Sequence, residues 1–110
     1  MASTYKILGQ SRPADTNPAN LYTVPAGGQV VISTITVANV TSVGTTFDIY
    51  VRPDGSAAGQ GNAVIYGATV GGNATTTLTL GITADAADVV SVKSGNADSI
   101  TFTAFGLEIS

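Results

Sequence analysis

Between Thr45 and Arg52 the apolar Phe47, Ile49 and Val51 fall at every second position, and no other feature of the chain restricts its fold as tightly. Successive side chains of a β-strand point to opposite faces. The pattern therefore predicts a half-buried strand with Phe47, Ile49 and Val51 toward a core and Thr46, Asp48, Tyr50 and Arg52 outward. A slip of one residue would bury Asp48 and Arg52 instead, so the register is strongly specified.

The same period recurs along the chain. Gln29 to Asn39 reads as a longer strand with Val31, Ile35 and Val37 on one face, opposite Thr34 and Thr36; Val30 and Ile32 make its start apolar on both sides. Thr75 to Leu80 sets Leu78 and Leu80 inward, and Asp88 to Lys93 sets Val90 and Val92 inward against Ser91 and Lys93. In the last segment Ile100, Phe102 and Ala104 share a face, but Phe105, Leu107 and Ile109 continue in the opposite phase, which a bulge near Gly106 would reconcile. Tyr5 to Leu8, Leu21 to Val24 and Ala63 to Tyr66 bring the expectation to about eight strands. No stretch has a helical period.

Turn residues punctuate these segments. Arg52-Pro53-Asp54-Gly55, Val70-Gly71-Gly72-Asn73 and Pro25-Ala26-Gly27-Gly28 place Pro and Gly where tight turns need a fixed or positive φ. Ser11 to Asn20 reads as an ordered crossover or arm, and Ser56 to Asn62 as an exposed, mobile loop. Long connections suit strands that are not hairpin neighbours. The expected fold is all-β: one domain over residues 1–110, an antiparallel β-sandwich of jelly-roll or Greek-key type.

Composition narrows the function. Charged residues make up only 10% of the 110-residue chain against 44% hydrophobic, well below the roughly 25% charged fraction of ordinary soluble domains. Much of the surface must be Thr, Ser, Asn, Gly and Ala, which suits a protein partly covered by partner subunits. The net charge is −3 and the four basic residues Lys6, Arg12, Arg52 and Lys93 are scattered, so no basic patch offers itself to nucleic acid. No apolar run reaches the length of a membrane helix, and the N-terminal residues do not read as a cleaved signal.

The residues that carry chemistry are few. His and Cys are absent, which removes the usual hydrolytic triads, thiolate nucleophiles and zinc sites. Asp85 with Asp88, and Asp48 with Asp54, are the nearest carboxylate pairs. Asp85 and Asp88 precede an apolar strand, where Asp caps turns; an oxygen-ligand cation site such as calcium is the alternative. Asp54 belongs to a turn, and Asp48 with Arg52 reads as a surface or interface ion pair. Tyr22, Tyr50 and Tyr66 could line a sugar-binding face, set against packing in a core or interface. Asn39-Val40-Thr41 and Asn73-Ala74-Thr75 match the glycosylation pattern, which arises by chance in a Thr-rich chain. No catalytic, cofactor or metal residue is assigned, and the chain reads as a non-enzyme.

Leu21-Tyr22-Thr23-Val24-Pro25-Ala26-Gly27, Val31 to Asn39 and Phe47 to Pro53, followed by Thr75 to Ile82, Asp88 to Val92 and Phe102 to Ile109, resemble a family of small tailed-phage virion proteins. The Gly-rich Ser56 to Asn62 departs from that pattern. The resemblance rests on packing motifs and implies a structural component of the virion. The expected role is a capsid decoration or cement protein on the exterior of the shell, a homotrimer bound to the major capsid protein. A tail, baseplate or fibre-associated subunit is the alternative, and a sugar-binding jelly roll acting in adsorption is a further one.

Overall fold

The computed structural model describes residues 3–109. Nine strands follow in order: β1 (Ser3–Ser11), β2 (Ala19–Thr23), β3 (Gln29–Asn39), β4 (Thr45–Arg52), β5 (Ala63–Val70), β6 (Thr75–Leu78), β7 (Ile82–Asp85), β8 (Val89–Ser94) and β9 (Ile100–Ile109). All ladders are antiparallel. One sheet has the order β1-β9-β3-β6, with β7 also on β3, and the second has the order β2-β8-β4-β5.

β6 and β7 occupy one edge of β3 in succession, β7 along Gln29–Ile32 and β6 along Ile35–Ala38. They are one strand position broken at Thr79–Gly81, where Gly81 takes φ +62°. Counted so, the first strand pairs with the eighth, the second with the seventh, the third with the sixth and the fourth with the fifth. That nesting is the jelly roll, and the sandwich expected from the alternation is the one found. The strand Ile82–Asp85 was not among those expected, because the break hides its period. The same break leaves Leu80 exposed rather than inward, and Ile82 supplies the buried side chain.

The core lies between the sheets: Val30, Ile32, Ile35 and Val37 of β3 and Phe102 and Ala104 of β9 face Phe47 and Ile49 of β4 and Val90 and Val92 of β8. Phe47 and Phe102 meet edge to face across the layers, ring centroids 6.2 Å apart at 67°, a geometry the ring quadrupoles favour.

Two expected faces are corrected. In β3 a bulge at Ser33 separates the pairs Ile32↔Gly106 and Thr34↔Phe105. One inserted residue flips the phase, so Val30 and Ile32 are inward and Val31 is outward, away from Ile35 and Val37. In β9 no bulge forms near Gly106. The register shifts sit on its two neighbours, at Ser33 of β3 and Leu8 of β1. β9 keeps its phase, Gly106 and Glu108 stay on the inner face, and Phe105, Leu107 and Ile109 face out. Gly106 is required here, since a Cβ would overlap the Val31 carbonyl.

The Arg12–Pro18 segment crosses from the first sheet to the second, anchored by the buried Pro13, whose carbonyl accepts the Asp98 N–H at 2.9 Å. The Pro53–Asn62 connection is largely exposed and carries two single 3-10 turns.

Candidate functional site

The phase of β9 gives the first sheet an apolar outer face. Directly opposed residues of antiparallel strands share a face, so the registers arrange it in rows: Tyr5, Leu107 and Val31, then Ile7, Phe105 and Thr34, then Ser3, Ile109 and Gln29. Tyr5 is 83% exposed, Ile7 58% and Phe105 36%. Leu107, Ile109 and Val31 are half-buried. An open cleft of about 380 Å³ continues this face toward β7, with Gln29, Val31 and Ile109 on one side and Thr83, Asp85 and Asp88 on the other. Large apolar side chains are thus brought together on a solvent-facing sheet.

Behind this face the sandwich is latched between its layers. Glu108 of β9 takes the Lys6 ammonium of β1 at 2.7 Å on one oxygen and the Tyr22 hydroxyl of β2 on the other. The Lys6 hydrogen bond, and next the Tyr22 hydroxyl, hold the Glu108 carboxyl below the usual glutamate value. Burial, and next the same bond, push the Tyr22 phenol well above the ordinary tyrosine range.

The outer face of the second sheet is closed around Asp48 and Tyr50, while Val64 and Tyr66 at its β5 edge stay exposed. Asp48 and Tyr50 point outward as the alternation requires, yet they are only 8% and 4% exposed. A bulge in β5 brings the Gly67 N–H onto Asp48 Oδ1 at 2.7 Å, and the Tyr50 hydroxyl donates to Asp48 Oδ2 at 2.8 Å. Burial first, then the Asp48 bond, raise the Tyr50 phenol to about 12. The expected Asp48–Arg52 ion pair is not present. Arg52 instead donates to Asn20 Oδ1 at 2.9 Å, to Ser91 Oγ at 3.0 Å and to the Ser56 and Gly55 carbonyls. It ties the chain after β4 to β2 and β8.

The other candidates resolve into local structure. Asp88 accepts the Asp54 and Asp85 N–H groups, each at 2.9 Å. Those two bonds hold its carboxyl below the ordinary aspartate value, and Asp85 bonds the Ala86 N–H. Both residues are thus turn caps. Among the described residues no three of Asp, Glu, His and Cys converge on a metal position. Tyr22, Tyr50 and Tyr66 form no shared platform. Tyr22 and Tyr66 belong to opposite edges of the sheet, Tyr50 is buried, and only Tyr66 presents its ring.

Asn39 is buried as well. Its amide donates to the Val43 carbonyl at 2.8 Å and the Val70 carbonyl at 3.3 Å, while its oxygen accepts from Thr41 N and Oγ1. It staples the β3–β4 connection and is no open acceptor for a glycan. Asn73 stands exposed in its turn at φ +56°.

Sequence reasoning missed the apolar outer face. The signal was there in the anti-phase run Phe105, Leu107, Ile109, which a bulge was expected to turn inward. No protein-family model matches the chain, and no curated protein matches it.

Proposed function

We propose that this chain is a structural protein of a tailed-phage virion, a head decoration or cement protein that binds the outside of the major capsid lattice as a homotrimer and stabilises it. The observation that carries the reading is the apolar outer face of the first sheet, with Tyr5, Ile7 and Phe105 in solvent on a chain that is only 10% charged. Such a face gains free energy when a neighbour covers it, at about 25 cal/mol per Å² of apolar area. The resemblance of the strand segments to small virion proteins supports the setting.

In this role the protein works by contact alone. Each copy lays its apolar face or the exposed Ala14–Pro18 stretch of its crossover against a neighbour, and many weak contacts on one shell add by avidity. The test is its copy number in purified particles, by quantitative mass spectrometry and cryo-electron microscopy. Hundreds of copies on the head surface are expected. Dozens or fewer would place it in the tail, and absence from washed particles would refute a virion role.

A further inference from the structure

We infer that the open edge of β1 pairs with the same edge of a second copy, antiparallel about a two-fold axis at Tyr5, so that the β1-containing sheets of the two copies become one. The inference concerns one contact between copies and stands apart from the virion reading.

The sandwich has four edge positions, and three of them are interrupted. The β6–β7 edge is broken at Thr79–Gly81. β5 is bulged beside Gly67, which takes φ +67°. β2 has only five residues and a register shift between Asn20 and Tyr22. Such irregularities protect edges from pairing with other chains.

The Ser3–Ile7 stretch of β1 has none. Its register against β9 is regular, and all five residues are exposed. Among the described residues β1 pairs only with β9, so alternate N–H and C=O groups along its other side face outward. Beyond Ile7 the edge closes, because the bulge follows and Gly9 lies against the Leu21 carbonyl. Within Ser3–Ile7 Lys6 is the one charged side chain, and its ammonium is held by Glu108.

Residue chemistry selects the occupant and the register. In a continuous antiparallel sheet opposed residues share a face, so the axis must pass through a residue position. With the axis at Tyr5, Ser3 meets Ile7, Thr4 meets Lys6 and Tyr5 meets Tyr5, and the whole open segment is used. An axis at Thr4 or at Lys6 aligns only three of the five open residues. An axis at Ile7 calls on Leu8 and Gly9, which the bulge and β2 occupy. The segment is thus self-complementary in one register, and there the apolar faces of both copies run together as one belt.

The contact is small. Five residues from each copy, about 17 Å of strand, bury far less than the roughly 1,200–2,000 Å² of stable interfaces. The dimer is accordingly weak and forms where the protein is concentrated.

Sedimentation equilibrium of the full chain from micromolar to millimolar concentration tests this. A reversible doubling of mass is expected, monomer to dimer or trimer to a pair of trimers, with Tyr5→Lys and Tyr5→Glu each weakening it about tenfold and an equimolar mixture of the two restoring it. Tyr5 projects into solvent, so both variants should keep the native circular dichroism and unfolding midpoint. In an otherwise cysteine-free chain, Tyr5→Cys should oxidise to a disulfide-linked dimer across the axis, and Lys6→Cys should not. No doubling of mass up to millimolar concentration, a doubling indifferent to both charged variants, or cross-linking through position 6 but not position 5 overturns the inference.

Discussion

Asn39 offers a sharp test of how this fold is held at one end. Its side chain is 4% exposed and makes four hydrogen bonds, two as donor to the Val43 and Val70 carbonyls and two as acceptor from Thr41. Asn39→Ala deletes all four. At about 1 kcal/mol net for each bond, with partial compensation by water at the exposed Val43, the expected loss is about 2–4 kcal/mol. That is a large share of the roughly 5–15 kcal/mol available to a domain.

Asn39→Asp is the more telling variant. It keeps the shape and both acceptor bonds but turns a second carboxylate oxygen toward two carbonyl oxygens, leaving a buried charge without a counterion. Its expected cost at neutral pH is about 3–5 kcal/mol, at least that of Ala. Protonation relieves the clash, so the folded-state pKa of the new carboxyl lies above its unfolded value and the native state binds more protons. Its deficit against the parent chain should therefore shrink as the pH falls from 7 toward 4. Urea unfolding followed by circular dichroism measures this, with a slope of about 1–3 kcal/mol/M. An Asp variant as stable as the parent at neutral pH, or one whose deficit widens in acid, would refute the assigned orientation of the amide.

The Glu108 latch predicts an acid limb. Because its carboxyl is lowered from the ordinary value of 4.5, its stabilisation is complete above that pH and is lost as the pH falls through the lowered folded value; Glu108→Gln should flatten this part of the stability curve. The phenols of Tyr22 and Tyr50 are raised above 10.0, so stability should decline as the pH climbs past 10.0, and Tyr50→Phe should reduce that decline in alkaline unfolding curves. Phe102→Ala removes a fully buried ring and its edge-to-face partner contact with Phe47; a loss of about 3–5 kcal/mol in urea is expected. Gly106→Ala should disrupt the β3–β9 ladder and lower the yield of soluble protein, whereas Gly59→Ala, with open space around it and an extended backbone, should shift the midpoint by less than about 0.5 kcal/mol.

The alternation in Thr45–Arg52 was enough to assign Phe47 and Ile49 to the core, and that in Asp88–Lys93 did the same for Val90 and Val92. It was not enough for Asp48, Tyr50 and Ser91. Those residues stand on the solvent side of their sheet, yet they are buried by chain that arrives from elsewhere, through the Gly67 amide and the Arg52 guanidinium. A polar side chain in an alternating run reveals its face but not what will cover that face.

The strand character of the chain, its sandwich class and its lack of Cys and His were written in the sequence, because period, turn residues and composition are local properties. The phase of β3 before Ser33, the join of β6 with β7 and the outward turn of Phe105, Leu107 and Ile109 were decided only in the folded molecule. Bulges form where strands distant in sequence must fit each other's twist, as β3 and β1 do on either side of β9. That fit kept β9 regular and so set its anti-phase apolar run toward solvent.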